Sequence, residues 1–227
     1  MKLSPLGDRA VLAYCADERA AVEFAATVRI ANPSWLFDVV PAYASVGVFF
    51  DADVVSAREV LDWLDALTLP SADFGSRLNE HSRAFTIPVC YEMQLDLLRV
   101  AEHTGLSPDE IIRLHTSTTY TVYAIGFVPG FPYMGYLPDA LCGVGRLPSP
   151  RVRVEPGSVG LTGKQTGIYP LARPGGWNLI GKTPLTIVDV ASGFFPLRVG
   201  DQVRFDRIDE TRYRELEGER LVSSRAD

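Results

Sequence analysis

Residues 126–185 carry 12 of the chain's 19 glycines and 9 of its 16 prolines. Glycine gives up the most backbone entropy in a helix, and proline lacks the N–H that a helix interior needs. The stretch therefore excludes long helices and predicts short strands joined by tight turns. β-rich runs fall at residues 120–127, 157–161, 167–171, 185–190 and 202–205. Such spacing predicts a closed or nearly closed barrel rather than stacked βαβ units.

Upstream the pattern changes to alternating strand and helix. Residues 9–14 read as a strand, and Asp17 is placed to cap a helix through Ile30 with Val22, Ala25 and Val28 on one face. Two strands at 36–42 and 45–50 follow the Asn32-Pro33 break, then Ser56 and Glu59 form a capping box ahead of Val60, Leu61, Leu64 and Leu67. A βαββα order predicts a small α+β sandwich with its helices on one face of an antiparallel sheet. Residues 70–76 have little to bury and read as a linker, with a strand resuming at 83–89. Helices are expected at 95–102 and after the Ser107-Pro108-Asp109-Glu110 box, the second ending on His115. The fold class is α+β: an N-terminal α+β domain over 1–80, a β-barrel domain over 81–215, and a tail over 216–227.

Composition narrows the function classes. With 227 residues, 47% of them hydrophobic and 22% charged, the chain can bury a sizeable core without staples. Twenty-two basic against 28 acidic residues give a net charge of −6, which disfavours a nucleic-acid binder held by phosphate contacts. Cys15, Cys90 and Cys142 are too few and too widely spaced for a disulfide framework or a zinc cluster, and the three histidines, His81, His103 and His115, have no metal-ligand spacing. No run of about 18 apolar residues and no signal-peptide pattern occurs, so the expected setting is cytoplasmic, off the membrane and without a metal.

Several segments carry chemistry. Residues 157–167, GSVGLTGKQTG, resemble an anion cradle, but Ser158 stands where a Walker A loop needs its first glycine and Gln165 follows Lys164 where it needs Ser or Thr. The segment is either an anion or carboxylate site with Lys164 reaching inward, or a glycine-punctuated hairpin with a surface lysine. Residues 127–136 set Phe127, Phe131, Tyr133 and Tyr136 among Pro129, Pro132 and two glycines, a rigid ring-presenting loop that lines a pocket, anchors a partner or plugs the barrel end. Strand alternation places Arg151 and Arg153 on one face, for a carboxylate or phosphate or for solvent. His115 reads as a cation on the helix dipole or as a general base.

Longer strings add a resemblance. His115-Thr116-Ser117, residues 123–133 (YAIGFVPGFPY), residues 157–160, residues 164–170 (KQTGIYP) and residues 174–184 (PGGWNLIGKTP) resemble the KipI and allophanate hydrolase subunit 1 family, mostly called the 5-oxoprolinase B subunit. Residues 7–10 and 40–46 extend the resemblance over roughly 5–206. It implies a cyclophilin-like barrel behind the α+β domain. It also implies two partners, an A subunit plus a C subunit of the KipA or allophanate hydrolase subunit 2 type. Together the three open the cyclic amide 5-oxoproline to glutamate, with ATP used at the level of the complex. Other family members act as a carboxyltransferase half in urea carboxylase and allophanate hydrolase systems, or inhibit a histidine kinase.

Within that resemblance His115 and Lys164 are the catalytic candidates. Arg151, Arg153, Gln165, Thr166, Tyr169, Trp177 and Lys182 are candidates for substrate binding, and Phe127, Pro129, Phe131 and Tyr133 for a pocket or partner loop. The chain departs from the family pattern at residues 92–95 (EMQL), where a glycine-rich turn is replaced, at Glu155 in place of Pro, and at Lys182 in place of Arg.

Overall fold

The computed structural model describes residues 1–67 and 82–224. The chain divides into two compact units, Met1–Ser82 and Arg83–Asp227. The linker read at 70–76, the boundary near 80 and His81 lie outside the described residues.

The first unit runs β1 (Lys2–Pro5), β2 (Ala10–Tyr14), α1 (Glu18–Ala31), β3 (Leu36–Ala42), β4 (Ser45–Phe50) and α2 (Ala57–Ala66). Its sheet has the order β1-β2-β4-β3, with every neighbouring pair antiparallel. Asp17 caps α1 by accepting from the Ala20 N–H, and Ser56 with Glu59 forms the capping box of α2. Alternation along β2 and β4 turns Val11, Ala13, Val46, Val48 and Phe50 toward the helices, where Phe24, Val28, Val60 and Leu64 meet them in one core. The buried face of α1 is offset from the expected one. Ala21, Phe24, Ala25 and Val28, at i, i+3, i+4 and i+7, point inward, and Val22 sits at the margin. The edge strand β1 ends on Pro5, a residue tolerated at an edge and not readable as a strand signal.

The second unit runs β5 (Ala84–Cys90), α3 (Leu97–Thr104), α4 (Pro108–Thr116), β6 (Thr119–Ile125), β7 (Pro132–Gly135), β8 (Arg151–Val154), β9 (Ser158–Thr162), β10 (Gln165–Ile168), β11 (Arg173–Gly175), β12 (Asn178–Lys182), β13 (Gln202–Ile208) and α5 (Glu210–Leu216). Seven strands close into a barrel in the order β10-β7-β6-β13-β5-β12-β9, while β8 and β11 pair separately. The architecture is therefore α+β with a closed barrel in the second unit, as the glycine and proline distribution predicts. Phe85, Ile87, Val122, Met134, Val159, Leu161, Ile180 and Phe205 fill the core to which α3 and α4 contribute Val100 and Ile111. The parallel pairing of β13 with β5 is secured by Asp201, almost wholly buried, which accepts from the Arg83 guanidinium at 2.6 Å and from the Arg198 N–H at 2.7 Å.

Two expectations change. Residues 185–190 form no strand: Pro184 precedes them, and they make only isolated bridges, Thr186 with Arg220 and Asp189 with Phe194. The tail expected from 216 belongs to the barrel unit through residue 224. Leu221 is buried, its N–H bonds Thr186, and the Ser224 N–H bonds Ala84.

Phe131, Val154, Tyr169, Trp177 and Leu179 form a second, smaller core. Because Val159, Leu161 and Ile168 face inward, Gly160 and Gly167 face out; the Phe131 ring lies on Gly167, and the Trp177 Cβ and the Leu179 side chain lie on Gly160. A Cβ at Gly167 would fall 2.9 Å from the Phe131 ring and 2.9 Å from the Pro132 carbonyl, and one at Gly160 would fall 3.2 Å from the Trp177 Cβ. The glycine spacing of β9 and β10 is thus a seat for rings. Gly167→Ala is expected to destabilise the protein by about 1–3 kcal/mol in urea unfolding. Gly145→Ala, which meets no heavy atom within 4 Å, is expected to stay within about 0.5 kcal/mol.

Candidate functional site

His115 ends up inside the barrel. It has no solvent exposure and its ring stacks on Phe205 with centroids 4.4 Å apart. Its Nδ1 lies 2.7 Å from the Tyr91 hydroxyl and its Nε2 lies 2.9 Å from Thr166 Oγ1. The Thr166 hydroxyl donates to the Gly160 carbonyl at 3.1 Å, so it must accept from an Nε2–H, which leaves Nδ1 to accept from Tyr91. All three side chains are buried, and burial pushes His115 down to about 3. The expectation of a charged histidine on the helix dipole is corrected: a desolvated imidazole stays neutral. His115 and Thr166 have no exposed surface in the chain as it stands.

The glycine-rich segment is a hairpin, with Gly163 (φ 59°) and the exposed Lys164 at its tip between β9 and β10. Three of its tip backbone groups bond within the chain: the Gly163 N–H bonds Val144, the Gly163 carbonyl accepts from Gly143, and the Lys164 carbonyl accepts from Leu137. Gln165, half-buried beside Lys164, pairs across to Gly135 of β7.

The ring layer brings several predicted residues together, but as packing. Trp177 is 4% exposed, and Tyr169 and Phe131 are 1% exposed. Phe131 meets Tyr133, Tyr169 and Trp177 edge-on at 4.9, 5.2 and 5.4 Å. Phe127 and Pro129 stand on the rim in solvent, and Tyr133 is half-buried. Burial pushes the Tyr169 hydroxyl up, against the pull of the Trp177 backbone and the Arg146 and Arg151 charges. The two strand arginines part company. Arg153 is exposed and holds Glu155 at 2.6 Å, whereas Arg151 donates to Asp96 at 2.7 Å. Asp96 also accepts from the Leu179 N–H at 2.7 Å, so one buried carboxylate fastens the start of α3 to β12 and β8. Arg99 and Asn178 reinforce that seam: the guanidinium donates to the Asn178 amide oxygen, and the amide nitrogen donates to the Gly145 and Leu161 carbonyls. Asp96, Arg99, Asn178 and Tyr91 were not read from the sequence. Only Asp96, just ahead of Leu97, stands where a capping pattern would have flagged it.

Lys182 is elsewhere. It pairs in register with Ser158, at the end of β9 opposite the Lys164 hairpin, so the two lysines are roughly 15 Å apart along the strand. It lines a cavity of about 410 Å³ together with Gly157, Pro170, Thr183, Tyr213 and Glu217. Gly157 is needed in that wall: its φ is 83°, and a Cβ would fall 2.5 Å from the Thr183 carbonyl. Neither Lys182 nor Glu217 is in an ion pair among the described residues. In this half-open recess Lys182 is half-buried and Glu217 is exposed. Among the described residues no helix is long and apolar enough to cross a membrane, and no three His, Cys, Asp or Glu side chains gather as a metal site would require.

Residues 1–193 match the family described as carboxyltransferase domain, subdomain C and D. The chain belongs to that family. It is 40% identical over 192 residues to the 5-oxoprolinase B subunit of Bacillus subtilis (strain 168), covering 78% of this chain and 77% of the relative. It is 50% identical over 131 residues to the 5-oxoprolinase B subunit of Escherichia coli O157:H7, covering 56% of this chain and 60% of the relative. The crystal structure of TTHA0988 superposes with a TM-score of 0.75 at 36% identity over 88% of this chain, which spans 40% of that longer chain. The kinship read from the residue strings stands.

The His115 network sets a pH dependence. An unfolded histidine titrates near 6.5 and the folded one near 3, so below about pH 6.5 protons favour the unfolded chain. The contribution is complete above that pH and is lost as pH falls. Between about pH 7.5 and pH 5.5 it amounts to about 1.4 kcal/mol of unfolding free energy. Urea titrations should show that loss, and in His115→Gln the slope should shrink by that amount.

Proposed function

We propose that the chain is the B subunit of a 5-oxoprolinase, working with an A and a C subunit to open 5-oxoproline to glutamate at the expense of ATP. The observation that carries this reading is its 40% identity to a relative named as a 5-oxoprolinase B subunit over 77% of that relative's length. The lactam carbonyl is resonance-stabilised, so transfer of the ATP terminal phosphoryl to its oxygen makes the ring carbon open to water. Water adds to that carbon, the C–N bond breaks and the nitrogen takes up protons, and a second water splits the resulting γ-glutamyl phosphate, so that glutamate, ADP and phosphate leave. The charge that builds up on the transferred group calls for positioned cations.

The predicted groups of this chain placed to meet a ligand directly are those with exposed surface: Lys182 in its cavity, Arg151 beside Asp96, and Lys164, Gln165 and Arg153 on the surface. Tyr169 and Trp177, both buried, hold shape. At the hairpin tip the Gly163 N–H, the Gly163 carbonyl and the Lys164 carbonyl bond within the chain, which favours binding of the ATP phosphates on another subunit. Phe127 and Pro129, exposed on the ring layer, are suited to anchor the C subunit. The setting is cytoplasmic, where the free cysteines Cys15, Cys90 and Cys142 stay reduced.

Reconstitution tests this reading. Co-expressed with a C subunit, the chain should elute with it on size exclusion, and the pair plus the A subunit should hydrolyse ATP only when 5-oxoproline is added. The chain alone should give no 5-oxoproline-dependent turnover. Turnover by the single chain, or full activity of its two partners without it, would contradict the reading. Transfer of a carboxyl group from carboxybiotin would favour the carboxyltransferase alternative.

A further inference from the structure

We propose that the cavity at the Lys182 end of the barrel binds the zwitterionic head of an α-amino acid. Its volume of about 410 Å³ lies within the roughly 300–1,000 Å³ range of small-molecule sites. Pro156, Pro170 and Pro184 line it, so much of the wall has fixed backbone torsions and little ordering entropy to lose on binding.

Its polar groups are unequally spent. Thr183 Oγ1 accepts from the Leu185 N–H at 3.3 Å, and Thr186 Oγ1 donates to the Gly218 carbonyl at 3.4 Å. Lys182 and Glu217 have no ion-pair partner, in each other or elsewhere among the described residues. Glu155 lies within electrostatic reach of Lys182, but Arg153 already holds both its oxygens, at 2.6 and 3.3 Å. The half-open recess thus carries two charged groups that are in no ion pair among the described residues, the half-buried Lys182 and, at its solvent edge, the exposed Glu217. A simple carboxylate would satisfy Lys182 and be repelled by Glu217, and a simple cation would meet the reverse. A molecule with carboxylate and ammonium on one carbon satisfies both, with the Thr183 hydroxyl proton left to donate to the carboxylate. If the chain serves a 5-oxoprolinase, this site takes the product: glutamate has gained the ammonium that the lactam substrate lacks. The choice of glutamate as probe rests on that reading, whereas recognition of the zwitterion does not.

Calorimetric titration of the full chain decides it. L-glutamate should bind saturably, and 5-oxoproline and N-acetyl-L-glutamate, which have no ammonium, should bind at least about tenfold more weakly. Lys182→Met and Glu217→Gln should each weaken glutamate binding at least about tenfold, a difference of about 1.4 kcal/mol, and Lys182→Arg should restore part of it. Urea midpoints of the variants verify that they are folded. Absence of saturable heat with L-glutamate and with a panel of other α-amino acids would overturn the proposal. Equal binding of glutamate and its N-acetyl derivative would do so too, as would unchanged affinity in Glu217→Gln. Saturable binding of another amino acid in place of glutamate, with the same loss in both variants, supports the site and detaches it from the product. The titration contains neither ATP nor any other protein, so its failure leaves the 5-oxoprolinase reading to the reconstitution, and a failed reconstitution leaves the site to the titration.

Discussion

Phe131 and Trp177 rest directly on the backbone of Gly167 and Gly160, and the barrel unit is organised around that contact. Rings can lie this close to a strand only where no Cβ stands between them, which requires glycine at alternate outward positions of β9 and β10. Once the rings are seated, the loop that carries Phe131 must leave and re-enter the barrel, and it does so as β7. Trp177 and Leu179 must be held at the outer face as β12 begins. Asp96 does that by binding the Leu179 N–H and Arg151 at once. Part of the density of glycine in the middle of the chain follows from this layered packing.

Polar groups inside the unit obey the complementary constraint. The buried carboxylates of Asp96 and Asp201 and the imidazole of His115 are matched by groups that also join distant parts of the chain. Asp201 ties the start of β5 to the start of β13 through Arg83. The Tyr91, His115 and Thr166 chain joins the end of β5, the end of α4 and β10 through the barrel interior. Such networks cost desolvation and return specificity of register, because no shifted strand pairing would satisfy them. They also account for the burial of His115 and Thr166 within the strongly patterned segments.

Features decided within a few residues were legible in the sequence. The Ser56 and Ser107 capping boxes stand where the pattern places them, because the side chain that caps and the N–H that it caps are three residues apart. The α+β unit and the closed barrel follow from periodicity and from turn residues. What the sequence could not show was decided by distant partners. His115 at a helix end reads locally as a cation, yet its surroundings come from Tyr91 and Thr166, 24 and 51 residues away. Arg151 and Arg153 share a strand face by alternation, but Asp96, 55 residues before Arg151, claims one of them. Residues 185–190 are rich in strand formers, yet their partners are single residues such as Arg220, beyond the reach of a local pattern. The family resemblance marked the segments that matter without telling packing from contact. It marked Tyr169, Trp177 and Lys182 alike, and only the fold separates the first two, which are buried, from the third, which lines the cavity.

The central claim is that this chain meets small molecules at the Lys182 end of the barrel and nowhere in its sealed interior. A crystal structure of the reconstituted complex soaked with L-glutamate addresses it most directly. Ligand density is expected in the cavity against Lys182 and Glu217, with His115 and Thr166 untouched and the ring layer unmoved. Density against His115, or seated in the Gly163-Lys164 turn with the cavity empty, would contradict the claim.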